Sequence, residues 1–344
     1  MIAEENMNLT IELLQFLGSP FTPATTSMVD RSELMELCRY SSENRMLFLY
    51  LHTVKKNHLG DFSALYEKEK LRCLKTDDAI ARISQALTDV HIKHAVFKTI
   101  RPYKYTTVDL DILIFVDRNC TKSIKTLQKA GCNLVVYGPK STTLWDQEAN
   151  IGIDLYEQVA VSCVTYIDKR KLVTYVTTAK LPNGEYVKTL RPEADLACII
   201  AHSIIKEQMY TLSEYYTFIH YLKQMNISDF LEIVKENNLT SAARTHIAIT
   251  ALLHKVAHET IPNELQQVLD SIGEENFEPS RVIKNSLETP HKYHPITIAK
   301  SLLEIAKGKE TRKGIATQLF HMFDPNFSKD FLRQLIDHIF RETY

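Results

Sequence analysis

The spacing of hydrophobic residues divides the chain into three regions. Up to about residue 89 the apolar positions recur with the period of amphipathic helices. Asp30 and Glu33 have the spacing of a capping box, and the helix that they begin places Leu34 and Leu37 on one face. This pattern predicts an N-terminal helical segment over 1–90 that packs on the rest of the protein.

Short runs of β-forming residues replace the helical period in the middle of the chain. The predicted strands cover 94–97, 108–116, 133–137, 151–156 and 185–190. A helix predicted over 120–130 separates the second strand from the third, and Gly131 is placed to end it. This order predicts a small mixed β-sheet domain over 91–191.

The helical period returns at Pro192, a residue that the first turn of a helix tolerates. Further helices are predicted over 263–272, 295–306, 313–323 and 328–341. The fold class expected from the whole pattern is α+β. A small mixed sheet is flanked by the N-terminal helical segment and by an all-helical C-terminal domain over 192–344.

The charge balance excludes one class of function. The 344 residues include 41 Lys and Arg and 42 Asp and Glu, which gives a net charge of -1. The protein as a whole therefore has no electrostatic attraction to duplex nucleic acid or to an anionic membrane. The six cysteines lie far apart and predict reduced thiols. Without a basic-flanked leader or an apolar run of about 18 residues, a cytoplasmic protein with no membrane partner is expected. No pattern specifies the oligomeric state.

Three aspartates interrupt the apolar runs of two predicted strands. Asp109 and Asp111 are two residues apart and therefore leave the same face of a strand, and Asp154 follows Gly152 in a later strand. One alternative is that one Asp of the pair caps a loop while the other forms a salt bridge. If the two strands are neighbours, the three carboxylates converge, and such a trio can hold two Mg²⁺ ions about 3.5 to 4 Å apart.

Cations and tyrosines are concentrated just before the paired aspartates. Lys98, Arg101 and Lys104 lie within seven positions, beside Tyr103 and Tyr105. A solvated loop is one interpretation. If the segment faces metal-bound aspartates, its cations form a clamp for a triphosphate and its tyrosine rings are suited to stacking on a base.

These residues resemble the DNA polymerase β nucleotidyltransferase superfamily. In that superfamily a phosphate-binding turn follows one strand, an Asp-x-Asp lies on the next strand, and a single Asp lies on a later one. Here the turn is Lys98-Thr99, the pair is Asp109 and Asp111, and the single acid is Asp154.

The chain is more closely similar to uncharacterised archaeal and bacterial nucleotidyltransferase-like proteins. These have a leading helical segment, the same Lys-to-Asp-x-Asp order, and a helix with an E-x-D pattern after the sheet. The segment from Arg191 to Asp195, followed by His202, has that pattern. The similarity runs from about residue 30 to residue 225.

The resemblance implies a catalytic role for all three aspartates. Asp109 and Asp111 would bind two Mg²⁺ ions, Asp154 would bind one and help to activate the attacking hydroxyl, and Lys98 and Thr99 would bind phosphate. The implied activity is Mg²⁺-dependent transfer of a nucleoside monophosphate from an NTP to a hydroxyl. The acceptor stays open among RNA, a protein side chain and a small molecule.

The phosphate-binding turn departs from the superfamily pattern. The superfamily has glycine there, whereas this chain has none between Phe97 and Asp111. The alternative is therefore a catalytically weak or silent module of the same fold that binds or regulates, for example as one component of a toxin-antitoxin pair. A third interpretation is a helical adaptor in which the sheet is only scaffold.

Overall fold

The chain is a mixed α+β protein built around a central mixed β-sheet in the computed structural model. The structure describes residues 8–25, 30–57, 60–273, 282–283, 287–323 and 329. Within these ranges, no helix combines the length and the hydropathy needed to cross a bilayer.

The N-terminal region is helical, as predicted. Its helices are α1 (Leu9–Leu17), α2 (Arg31–Glu43), α3 (Leu47–Asn57) and α4 (Ser63–Asp89). The predicted capping box is confirmed, because the Asp30 side chain accepts from the Glu33 backbone N–H while the Glu33 carboxylate accepts from the Asp30 backbone N–H. Two orphan donors at the start of α2 are thereby satisfied.

The strands of the central sheet follow α4 along the chain. The strands in chain order are β1 (His94–Val96), β2 (Asp109–Ile114), β3 (Cys132–Tyr137), β4 (Ser141–Asp146), β5 (Ile151–Tyr156), β6 (Val159–Val161), β7 (Val164–Ile167), β8 (Val176–Lys180) and β9 (Tyr186–Leu190). The seven-stranded sheet has the order β3-β4-β5-β2-β1-β9-β8, and β6 pairs separately with β7. Within the large sheet, β2 runs parallel to β5 and β1 runs parallel to β9.

The five predicted strands are confirmed with small shifts at their ends, as is the helix α5 (Cys120–Lys129). Strands β4 and β8 were not predicted. The sequence of β4 is Ser-Thr-Thr-Leu-Trp-Asp, which carries no apolar run, and this segment is a strand because it pairs along its whole length with β5. The large sheet therefore holds two strands more than the pattern indicated.

The region after the sheet is mainly helical, as predicted. Its helices are α7 (Pro192–His202), α8 (Leu212–Leu222), α9 (Ile227–Glu236), α10 (Thr240–His258), α11 (Asn263–Ile272), α12 (Pro295–Ile305) and α13 (Lys309–His321). A short helix, α6 (Lys169–Leu172), lies earlier in the chain, before β8. A small pair of strands, β10 (Met209–Tyr210) and β11 (His291–Lys292), joins this region. Helix α13 begins four residues earlier than predicted. Of the helix predicted over 328–341, only residue 329 lies inside the described part of the chain.

A hydrophobic core packs on each face of the sheet. One core joins the N-terminal helices, the sheet and the C-terminal helices, with Leu13, Phe97 and Phe230 among its members. A second core under α4 and α5 contains the alternate residues of β2, such as Ile112. Because Asp111 has the opposite parity, it lies on the face that meets α7 and the helical region around it.

Candidate functional site

Three aspartates meet where β2 and β5 run side by side. The register pairs Asp109 with Gly152 and Asp111 with Asp154, so all three acids leave the same face of adjacent parallel strands. One carboxylate oxygen from each lies within 4.8 Å of the other two. The structure therefore brings together the three carboxylates that the sequence singled out.

The three carboxylates have different partners. Asp154 Oδ1 accepts a hydrogen bond from Thr143 Oγ1 on β4 at 2.6 Å, and Asp111 Oδ2 lies 3.1 Å from Lys98 Nζ. The other oxygen of Asp111, Oδ1, is buried and has no hydrogen-bond partner within the described residues. The cluster thus contains a buried carboxylate oxygen that accepts no hydrogen bond from the described residues.

Burial and mutual repulsion shift the pKa values of these acids. Burial, followed by the charge of Asp111, raises the pKa of Asp109 to about 7, and the same two causes raise the pKa of Asp154. Burial acts against ionisation of Asp111 as well, but the Lys98 ammonium holds the pKa of Asp111 below its ordinary value. The site therefore has more negative charge than its contacting cation balances.

The turn after β1 has the backbone conformation of a glycine turn without a glycine. Lys98 has φ of 59°, in the left-handed region, and its backbone N–H donates to Asp195 Oδ1 at 2.6 Å. Asp195 in turn accepts from the Tyr221 hydroxyl. The Thr99 hydroxyl accepts from the Asp111 backbone N–H at 2.9 Å and donates to the Phe97 carbonyl. The hydroxyl expected to bind phosphate is thus used to join the turn to β2.

A histidine and a glutamate hold Lys98 from the other side. Lys98 Nζ lies 3.1 Å from His202 Nδ1, and His202 Nε2 lies 2.9 Å from Glu207 Oε1. Because an ammonium only donates, Nδ1 accepts and Nε2 carries the hydrogen that it donates to Glu207. Burial, aided by Lys98, lowers the pKa of His202 to about 3, which keeps the ring neutral. His202 and Glu207 therefore position the ammonium beside Asp111.

The helix that carries His202 widens as it passes the carboxylates. A π-helix over Ser203–Glu207 continues α7, and π-helical turns often occur at functional sites. Lys206 in this segment places Nζ 3.4 Å from the Tyr156 hydroxyl, and its charge lowers the pKa of each of the three aspartates. Lys206 is therefore a second cation of the site.

Arg45 comes to the site from the N-terminal region. It lies in the turn between α2 and α3 with φ of 59°. Although burial acts to lower it, the pKa of Arg45 is raised by the groups around it, which are Tyr105, Glu214, Glu207 and Asp109. The N-terminal helical segment thus supplies a charge near the sheet carboxylates.

Arg101 and Lys104, also predicted to bind phosphate, line a separate cleft. This cleft has a volume of about 920 Å³ between α3, α4 and the loop before β2, and Thr99 and Thr107 lie at its edge. None of the three carboxylates lines it, nor does Lys98. The predicted clamp is therefore divided, because Lys98 contacts the carboxylates while Arg101 and Lys104 lie in the cleft.

The carboxylate cluster fits a divalent cation. It offers three hard oxygen ligands within reach of one another, one of them the unsatisfied Oδ1 of Asp111. Their repulsion, which raises the pKa of Asp109 and Asp154, is the effect that a bound cation relieves. Asp109, Asp111 and Asp154 are the residues that would hold it.

The sequence did not identify four polar side chains around the aspartates. Thr143 lies on a strand without an apolar run, and Arg45 lies more than sixty positions before Asp109. Lys206 and Glu207 follow His202 at four and five positions, a spacing that places Lys206 one turn along a regular helix. Their helical spacing from His202 was the one available signal.

Comparison with known proteins adds no relative. No protein-family model matches the chain, and a search among curated proteins finds no match. The chemistry of the site therefore depends on the positions of its own residues.

Proposed function

We propose that this protein is a Mg²⁺-dependent nucleotidyltransferase that moves a nucleoside monophosphate from an NTP to a hydroxyl. The convergence of Asp109, Asp111 and Asp154 from two adjacent parallel strands is the observation that supports this proposal. Three clustered carboxylates beside two lysines suit a reaction in which a polyanion must be held and its charge balanced.

The reaction forms one bond and breaks one. The acceptor oxygen bonds to the α-phosphorus, the bond from that phosphorus to the bridging oxygen of the β-phosphate breaks, and pyrophosphate leaves. A divalent cation held by the three aspartates supplies charge neutralisation at the phosphates and two such ions can also lower the pKa of the acceptor hydroxyl.

The side chains of the site have separate tasks in this proposal. Asp154, fixed by the hydroxyl of Thr143, takes the proton of the acceptor hydroxyl. Lys98 and Lys206 stabilise the negative charge that develops on the departing pyrophosphate. His202 positions Lys98 through Nδ1, and catalysis comes mainly from placement and charge.

Calorimetry with each of the four NTPs and Mg²⁺ tests the binding step, and pyrophosphate release tests the reaction. The wild-type protein is expected to bind at least one NTP only when Mg²⁺ is present and to release pyrophosphate from it. Asp111→Asn keeps the size of the side chain but removes the charge, so both signals should fall by at least about tenfold. Equal signals from wild type and Asp111→Asn would contradict the proposal.

Asp270→Asn is the matched control. Asp270 is an exposed residue of α11 that, within the described part of the chain, accepts a hydrogen bond only from Gln266 on the same helix, so the same change of charge occurs outside the carboxylate cluster. Its binding and activity should equal those of the wild type.

A silent binding module is the second candidate, and one contact favours it. Lys98 places its ammonium 3.1 Å from Asp111 Oδ2, so a cation of the protein itself already balances the charge of that carboxylate. In this case the aspartates serve the fold, and calorimetry should detect no Mg²⁺-dependent NTP binding. Replacing Lys98 by Met should then lower the melting temperature without creating activity.

A further inference from the structure

The cleft beside the N-terminal helices is lined by an unusual mixture of side chains. Its walls carry Arg101, Lys70, Lys104 and Lys180 against a single acid, Asp77. Phe48, His52 and Tyr66 from α3 and α4 lie among its apolar lining, with Leu74, Ile80 and Leu181. The cleft is therefore cationic at one part of its wall and apolar or aromatic at another.

Arg101 is a cation of this cleft with unsatisfied hydrogen-bond donors. Its Nε and Nη1 are buried without a hydrogen-bond acceptor in the ranges that the structure covers, and no carboxylate there lies within ion-pair distance. Its guanidinium lies 5.4 Å from the centre of the Tyr105 ring; burial acts to lower the pKa of Arg101, but Tyr105, Tyr103 and Asp195 raise it. Burial of the Nε and Nη1 donors of this half-buried guanidinium without an acceptor is costly, and an anion that reaches the guanidinium from the cleft would reduce that cost.

The cleft is also connected to the strand that carries the aspartates. Thr99 at its edge accepts from the Asp111 backbone N–H, and Thr107 at its edge donates to the Asp109 carbonyl. A ligand in the cleft would thus lie against the same turn and loop that lead into β2. The volume of about 920 Å³ is in the range of pockets that take small organic ligands.

We propose that this cleft binds an organic anion, namely a phosphate or carboxylate joined to an apolar or aromatic body, with Arg101 as the anchor of the anionic group. Lys104 adds a second, more exposed charge. The apolar body lies against the α3 and α4 wall that includes Phe48 and Leu74. The role of this ligand as the nucleotidyl acceptor rests on the proposed function, whereas the binding site itself does not.

Fluorescence titration of the full chain in EDTA tests the site. The probe is 8-anilinonaphthalene-1-sulfonate, which joins a sulfonate to aromatic rings, and the neutral N-phenyl-1-naphthylamine is its uncharged counterpart. The sulfonate should bind at a saturable site from which 1-naphthyl phosphate or 1-naphthoate displaces it, and these two competitors separate phosphate from carboxylate ligands. Neither 1-naphthol nor inorganic phosphate alone should compete well.

Two variants separate the anion from the apolar wall. Arg101→Gln should weaken binding of the sulfonate by about tenfold or more while leaving the neutral probe unchanged, because a charged hydrogen bond is lost. Leu74→Trp fills the cleft and should weaken both probes. Arg39→Gln, at an exposed arginine of α2, should change sulfonate binding by less than about twofold.

Several results would overturn the inference. The first is the absence of saturable sulfonate binding. The second is sulfonate binding that is unchanged in Leu74→Trp. The third is an equal loss of affinity for the charged and the neutral probe in Arg101→Gln. If Arg101→Gln does not fold, Lys104→Gln replaces it and should weaken the sulfonate alone. EDTA removes divalent ions, so the probe assay does not depend on the Mg²⁺-dependent NTP assays. If the probe binds as expected but those NTP assays fail, the cleft is still an anion-binding site, and only its role as acceptor site is rejected.

Discussion

Lys98 holds a backbone conformation that a side chain makes unfavourable. The left-handed region costs a residue with a Cβ about 1 to 2 kcal/mol, and the carboxylate of Asp195 on α7 compensates by accepting the Lys98 N–H. The same residue then reaches Asp111 and His202 with its ammonium. The absence of glycine in this turn therefore does not prevent a glycine-like backbone conformation.

The sequence identified the three aspartates but not the task of Thr99. Alternation along two strands was enough to place Asp109 and Asp111 on one face, because that periodicity is a property of the backbone. The hydroxyl of Thr99 joins the turn to the Asp111 backbone on β2, a contact that depends on how β1 meets β2. Such a contact between elements has no signature in the spacing of residues.

Replacing Thr99 tests this structural task. Thr99→Val should lower the free energy of unfolding by about 1 to 3 kcal/mol, because the buried N–H of Asp111 loses its acceptor. Thr99→Ser keeps the hydroxyl and should recover most of the loss. Urea denaturation measures both, and a Thr99→Val protein as stable as the wild type would mean that the hydroxyl does not hold the turn.

Asp77 on α4 should make stability depend on pH. Burial and the neighbouring Asp78 raise the pKa of Asp77 to about 6, above its value of about 3.9 in an unfolded chain. The folded state therefore binds this proton more tightly, and the stability that it contributes is full below about pH 4 and lost as the pH rises through about 6.

Asp77→Asn should remove that dependence. At pH 7.5 the variant should be more stable than the wild type by about 1 kcal/mol, a figure discounted for solvent screening. At pH 4 the two proteins should have equal melting temperatures. A variant that is less stable than the wild type at pH 7.5 would show that the Asp77 charge is favourable.

At the scale of elements, periodicity predicted the helices and the buried strands well. It failed for β4 and β8, whose residues are polar and which lie toward the edges of the sheet. Strand formation there follows from pairing with a neighbour that is already a strand. Strands rich in polar residues, such as the inner strand β4 and the edge strand β8, carry little of the apolar signal on which prediction from sequence depends.

The contact between α13 and β7 depends on one glycine. A Cβ built at Gly314 would lie 2.2 Å from the Cys163 carbonyl oxygen, which is backbone and has little room to move. Gly314→Ala should therefore lower stability by about 1 to 3 kcal/mol, even though alanine favours a helix. Thermal unfolding monitored by circular dichroism measures this loss.

Gly152→Ala is the matched change at the site. Apart from its own chain neighbours, no atom of the described residues lies within 4 Å of the Cβ position at Gly152, so stability should change by less than about 0.5 kcal/mol. If Gly314→Ala were tolerated equally well, the packing of α13 on β7 would be looser than the structure indicates.

At the scale of the molecule, one core contains residues from all three regions that the sequence distinguished. The boundaries predicted near 90 and 191 mark changes in secondary structure, and the cations around the carboxylates come from elements on both sides of them. Arg45 precedes the sheet, and Lys206 follows it. The sequence was therefore sufficient to find the acids and Lys98, but not Arg45 and Lys206, the cations that the other two regions supply.

Mg²⁺ should stabilise the whole protein if the carboxylate cluster binds it. At about 100 times the dissociation constant a ligand of the folded state adds about 2.7 kcal/mol, so the melting temperature should rise on addition of Mg²⁺ and fall back with EDTA. Asp154→Asn should show no such rise. In EDTA the same variant should melt higher than the wild type, because repulsion within the cluster is relieved.

The control for this measurement is again Asp270→Asn, which should respond to Mg²⁺ as the wild type does. A Mg²⁺-dependent rise of equal size in Asp154→Asn would place the responsible binding site elsewhere in the protein.

The π-helix after α7 gives the site an unusual sensitivity to chain length. Its five residues, Ser203–Glu207, fit one more residue into a turn than a regular helix does. Deletion of a single residue here would restore the regular geometry and remove the wide turn that contains Lys206. The place of the Lys206 ammonium beside Tyr156 therefore depends on the number of residues in this segment as well as on their identity.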